Sequence, residues 1–269
     1  MFLSWPFFKA MFKEQRSSLL KISGGFILYE TLLSWVYPAI AKTPAVGEIV
    51  DTIPSTVKTV FGVSPDARTD TFEAFFSSQF LARIWTLIMA AYGITTANAL
   101  LAKLIDNGSL ALPLSAPLSR SQLLATQAAL LFVNNAVLIG VTFGGVYGST
   151  RFFKIKIDKT AYFKLSLLSL SFFSAVSSYA FLFATLGSKE KSLAYSYGVT
   201  ALFYGLDVIA GLWDKLNWAE SLSLFHLLKP QDVLEGTVKP ASAIIGLAAS
   251  AAALLEIAGW VFEKRDLPL

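Results

Sequence analysis

The residues able to do chemistry are few, and their scatter excludes more than it assigns. There is no cysteine, so disulfides, thiolate zinc sites and cysteine nucleophiles are ruled out. His226 is the single histidine, and one histidine without cysteine or a close acidic cluster makes a poor metal site. It is expected to cap or pack in a segment outside the membrane. No Gly-x-x-x-x-Gly-Lys-Ser/Thr run occurs; Gly144, Gly145 and Gly148 close an apolar stretch with no Lys-Ser/Thr pair after them, so the chain carries no phosphate-cradling loop. An intramembrane enzyme needs nucleophiles, acid–base pairs or metal ligands gathered at one face, and the acids here are scattered. Ionisable side chains set inside apolar runs remain: Glu30, Arg83, Asp207 and Glu256. Such groups are costly in a bilayer and are functional candidates for that reason. Arg83 and Glu256 lie toward the ends of their runs, where snorkelling to the interface explains them. Glu30 and Asp207 lie deeper, and two readings stay open. They face a cavity and touch a transported molecule, or they pair with a polar neighbour such as Asn98, Asn134 or Asn135.

The elements that must hold these residues follow from composition. Hydrophobic residues make up 55% of the 269 and charged residues 15%, with a mean hydropathy of +0.59. A soluble chain runs at about 45–50% apolar and about 25% charged, so both shifts point to lipid as the solvent. Each crossing needs ~20 mainly apolar residues. Six stretches qualify: Ile22 to Ala41, Phe80 to Leu101, Leu123 to Tyr147, Tyr162 to Leu186, Ser192 to Leu212, and Pro240 to Phe262. Helices satisfy their backbone groups without water, so the expected fold is an all-α integral membrane protein with about six transmembrane helices in a single domain, 1–269. Small residues in the spans, including Gly140, Gly144, Gly145, Ser174, Ser177 and Ser178, suit close helix packing.

The connections add detail. Trp5, Phe8 and Phe12 recur at near-helical spacing opposite Lys9, Lys13 and Arg16, the pattern of an amphipathic helix in the interface; this elbow is expected over 1–18. Residues 42–78 and 215–239 hold apolar residues at partly helical spacing and are expected to form short helices in extracellular loops, the second as an interfacial or re-entrant segment. Gly187-Ser188-Lys189-Glu190-Lys191 fits a tight cytoplasmic turn. Lys and Arg divide almost evenly between the two sides, so charge asymmetry does not fix the orientation. The termini are placed inside because the first span carries its basic flank on its N-terminal side, which leaves the basic cluster Arg151 to Lys164 outside. The formal charge of +4 is spread over many short loops without forming a patch, which argues against nucleic acid and suits a surface facing anionic lipid.

Between the second and third spans the chain reads Lys103-Leu-Ile-Asp-Asn-Gly-Ser-Leu-Ala-Leu-Pro-Leu-Ser-Ala-Pro-Leu-Ser-Arg. This run resembles the signature of the ABC-2 type permeases: an acidic helix, Gly-Thr-Leu-Glu-Leu-Leu-Leu, then Ser-x-Pro-(Ile/Leu/Val)-Ser-Arg. The matching positions are Asp106, Gly108, Ser109, Leu110, Leu112, Leu114, Ser115, Pro117, Leu118, Ser119 and Arg120. Phe8 to Leu20 is similar to the family's basic elbow. Leu222 to Gly236 is similar to its Pro-Asp-Gly passage before the last span. Phe262-Glu-Lys-Arg-Asp-Leu is similar to its Phe-x-x-Arg-Asp-Leu ending. The chain departs from the pattern where Lys103, Leu104, Ile105 and Ala111 stand at positions often held by Glu, and where Pro113 interrupts the leucine run.

The resemblance implies the transmembrane subunit of an ATP-driven exporter in the cell membrane, with both termini cytoplasmic and no catalysis of its own. ATP and Mg2+ would sit on a separate ABC ATPase subunit, and a second permease copy, the same or different, would complete the pathway within membrane lipid. The ATPase contact would fall on a coupling helix over 103–119 and on the turn at Lys189 and Glu190. Its candidate residues are Asp106, Gly108, Ser109, Leu110, Leu112, Pro117, Arg120, Lys189 and Glu190. The candidate substrate path is Glu30, Asn98, Asn134 and Asp207. A passive channel or a secondary transporter is the alternative, with an intramembrane lipid-modifying enzyme behind it; none of these accounts for the Gly-Ser-Leu to Ser-Arg passage.

Overall fold

A computed structural model describes residues 3–41, 71–108, 118–212 and 214–265. Every regular element among them is helical, and six helices are long and apolar enough to cross a membrane. This is the build of a multi-pass membrane protein.

The crossings are labelled α1 to α6 in chain order. Helix α1 (Trp5–Ile40) is one continuous helix of 36 residues, with a proline in its first turn and Pro38 in its last. Proline suits a first turn because the missing N–H has no acceptor there anyway. At 1.5 Å per residue α1 is about 54 Å long, against a hydrocarbon core of about 30 Å. The segment expected as an elbow over 1–18 and the span expected from Ile22 thus run on without a break between them.

The second crossing, α2 (Phe72–Asp106), is composite. It opens with the turn Phe72–Phe76, widens into a π-helix over Ser77–Trp85, resumes as Thr86–Leu100, and bends at Leu101 into the short helix Ala102–Asp106. In the wide segment the Thr86 hydroxyl donates to the Leu81 carbonyl, five residues back, at 2.6 Å. A π segment inside an α-helix often marks a functional position, and within this one the Arg83 guanidinium meets the Tyr204 hydroxyl at 3.3 Å.

Helix α3 (Arg120–Phe152) starts at a full capping box, in which Ser119 and Gln122 satisfy each other's backbone N–H groups. Helix α4 (Lys159–Leu186) starts at Asp158, whose carboxylate accepts from Thr160 and Ala161. Helix α5 (Lys189–Leu212) follows after Gly187 and Ser188 alone. The expected pentapeptide turn is thereby shortened: Lys189, Glu190 and Lys191 form the first turn of α5 instead of the loop. Short helical turns at Asp214–Leu222, Phe225–Leu227 and Pro230–Leu234 lead to α6 (Ala241–Lys264).

Helix α4 is the hub and touches α2, α3, α5 and α6, while α1 lies along α3. Trp85 is fully buried at this hub, edge-on to Phe143 and Phe173. Its indole N–H donates to Thr142 at 2.9 Å, which leaves a bulky aromatic without an orphan donor. Small residues let the helices close up. Gly93 of α2 faces the Ser177 hydroxyl of α4, and Gly145 of α3 faces the Glu30 carboxyl of α1.

Candidate functional site

Two places gather the polar side chains. The first is the end of the bundle where the described chain both begins and finishes. There the Ser4 N–H donates to Thr126 near the start of α3 at 3.0 Å. Asp106, at the close of the short helix after α2, reaches across to the start of α5 and accepts the Lys189 N–H at 2.5 Å. It therefore caps a helix distant in sequence, where a carboxylate also meets the positive end of the helix dipole. The buried Asn98 amide donates to the Lys189 carbonyl at 3.0 Å. One turn of chain away, Arg265 donates to the Thr185 carbonyl at the end of α4. Arg120 donates to the Arg265 carbonyl at 2.8 Å and to the Glu263 carbonyl at 3.4 Å. A guanidinium on the last carbonyls of α6 satisfies acceptors that the helix itself cannot.

These bonds tie α2, α5, α4, α6 and α3 together at one end. Lys103, Asp106, Gly108, Lys189 and Glu190 are exposed on its surface. Gly108 takes a left-handed backbone, φ 66°, which glycine adopts without penalty. Arg120 is half-buried against α6. Of the candidate coupling residues, Ser109, Leu110, Leu112 and Pro117 lie outside the described residues, as do positions 109–117 of the helix expected over 103–119; its described start belongs to the short helix Ala102–Asp106 and the turn that follows. Replacing Arg120 with Ala leaves the ends of α6 and α4 less well held. We expect a loss of about 0.5–1.5 kcal/mol, the usual worth of a hydrogen bond whose acceptors stay within reach of water, read as a lower melting temperature in mild detergent.

The second place is the seam between α1 and α3. Glu30 is fully buried, and neither of its oxygens has a hydrogen-bond partner among the described residues. One turn further along, Ser34 and Ser149 share a hydrogen bond of 2.8 Å. Gln127 and Asn134 fall on the same stripe of α3 as Gly145, at whole numbers of turns. Both are buried, and both have amide atoms without a partner among the described residues. Asn135, the next residue, points elsewhere: its amide donates to the Phe173 carbonyl at 3.2 Å and the Ser177 hydroxyl at 3.0 Å.

The four residues expected to form one substrate path are thus not brought together. Asn98 belongs to the end of the bundle. Glu30 packs on Gly145, and Asn134 sits eleven residues before that glycine, about 16 Å along α3. Asp207, half-buried on α5, lies within electrostatic reach of His226, Glu220, Lys229 and Arg83. His226 pairs with Glu220 at 3.0 Å. Among the described residues no three His, Cys, Asp or Glu side chains converge as metal ligands.

No protein-family model matches the chain, and no curated protein matches it.

Sequence reasoning passed over Thr185 and Arg265 as site residues. Thr185 contributes only a backbone carbonyl, which no side-chain pattern announces. Arg265 was visible as part of the terminal Phe-Glu-Lys-Arg run, although nothing in that run says which helix ends it would join.

Proposed function

We propose that the chain is the transmembrane subunit of an ATP-driven ABC exporter, working with a separate ATPase and a second permease. One observation carries the reading. Two passages that resemble the family's signature, Lys103 to Arg120 and the run ending at Arg265, come together at a single end of the bundle: Arg120 bonds the Arg265 carbonyl from 145 positions away, while Asp106 caps α5 and Arg265 holds the end of α4. A partner that pressed on Asp106 and Lys189 there would move α2 and α5 together, since one carboxylate joins them. Through Arg265 and Arg120 the same push would reach α4, α6 and α3. Such a linked end favours rigid-body tilting of packed helices over local loop motion. The exposed charges at Lys189 and Glu190 would give the partner its grip, and the buried polar groups of α1 and α3 would lie on the route taken by the cargo.

The test is mild purification of the tagged chain from its native membrane, with mass spectrometry of what accompanies it. A P-loop ATPase in stoichiometric amount is expected, and it should be lost when Lys189 and Glu190 are replaced together by residues of opposite charge. Both side chains are exposed, so the variant should remain monodisperse. Preparations free of any ATPase in several mild detergents would sink the reading and bring the passive channel forward.

A further inference from the structure

Between the start of α3 and the end of α6 runs an open groove of about 750 Å³. Its size is that of a site for a drug-sized molecule. Small residues create it: Gly259 on α6 faces Leu124 on α3, and a methyl built on that glycine would come no closer than 3.7 Å to the leucine. One wall is apolar, with Leu124 and Leu255 among its residues. The other features are charged or aromatic: Arg120, Glu256, Glu263 and Trp260.

The charges are not paired with one another. Arg120 turns its Nη1 to the carbonyls of Glu263 and Arg265, and neither Glu256 nor Glu263 has an ion-pair partner among the described residues. Arg120 and Lys264 match the two carboxylates in number, but neither cation pairs with Glu256, which is left uncompensated at its own position among the described residues. Trp260 is 61% exposed, and its ring already takes one ammonium, Lys264 Nζ, at 3.8 Å from the centroid. Glu256 and Trp260 are four residues apart and so share a face of α6. An acid and an indole on one face, beside an apolar wall, form the usual recognition set for an organic cation.

We propose that this groove binds a cationic amphiphile. Its positive centre would sit between Glu256 and Trp260, with its apolar body against Leu124 and Leu255. Glu263 lies seven residues beyond Glu256, about 10 Å closer to the end of the helix. It would draw the cation toward the mouth. The groove needs no ATPase to bind, so the proposal stands apart from the exporter reading.

The test uses the purified full chain in mild detergent, with labelled tetraphenylphosphonium as the probe and tetraphenylborate, of the same shape and opposite charge, as its counterpart. Saturable binding of the phosphonium is expected, with borate binding weaker by roughly tenfold or more, as is usual for a desolvated charge contact. Glu256→Gln and Trp260→Leu should each weaken phosphonium binding by about tenfold on the same grounds. Both side chains are exposed, and gel filtration checks that the variants stay folded. Competition on the unaltered chain gives a second reading: dodecyltrimethylammonium should displace the probe and dodecyl sulfate should not. Equal binding of the two tetraphenyl ions, or unchanged binding in both variants, would overturn the proposal. So would a tightly held phospholipid that the phosphonium cannot displace, which would assign the groove to lipid.

Discussion

Gly145→Val is expected to lower the stability of the protein by about 1–3 kcal/mol, the usual cost of forcing added carbons into a packed interface. A Cβ at this position would collide with the Glu30 carboxylate, lie 3.4 Å from the Glu30 Cδ, and touch Ile27 at 3.7 Å. A flexible acid at a surface could swing aside. Glu30 is fully buried, and any swing would have to displace other packed atoms of α1 or α3. The two helices would part along the seam, and interior packing tolerates such gaps poorly. The diagnostic is the double variant. Glu30→Ala removes the obstructing group, so Glu30→Ala with Gly145→Val should recover much of the loss, which a double-mutant cycle of melting temperatures in detergent would detect as a favourable coupling. A Gly145→Val chain as stable as the unaltered one, or a double variant with merely additive losses, would mean that α1 and α3 do not meet at this point.

That seam marks the limit of what sequence alone discloses. The six crossings are legible because apolar length is a one-dimensional property, and the helices fall where hydropathy puts them. The continuous α1 was not legible. Lys13, Glu14, Arg16 and Lys21 break the apolar pattern without breaking the helix, because backbone hydrogen bonds are indifferent to whether a side chain faces lipid or water. The turn before α5 is shorter than its sequence suggests for a related reason: Lys189, Glu190 and Lys191 look like loop residues by polarity, yet Asp106 supplies the cap that lets the helix begin at Lys189. That cap comes from 83 positions upstream, and a long-range cap has no local signature. Asn98 shows the same limit. By type it suited a polar path with Glu30 and Asp207, whereas its place in the last turn before the bend at Leu101 sets its amide on the Lys189 carbonyl instead.

The adjacent pair Asn134 and Asn135 should respond to one substitution in opposite ways. Asn135→Leu removes the donor to the Phe173 carbonyl and the Ser177 hydroxyl and puts a branched apolar group beside both. It should cost about 1–2 kcal/mol, since the buried Ser177 hydroxyl loses a donor and the Phe173 carbonyl, already bonded within α4, loses its second. Asn134 is equally buried, yet neither atom of its amide has a partner among the described residues. Leucine has a similar volume and carries no polar atoms to satisfy, so Asn134→Leu should leave the melting temperature unchanged or raise it. If the amide is retained for contact with a transported molecule, the same substitution should reduce transport while the protein stays intact. Side-by-side melting curves in detergent, with flux measured in vesicles holding equal amounts of each variant, separate the cases. Two variants with equal melting temperatures would refute the assignment of Asn135 as the structural member of the pair. A destabilised Asn134→Leu would show instead that its amide is bonded in the membrane, by water or by another chain, and would remove it from the candidate path.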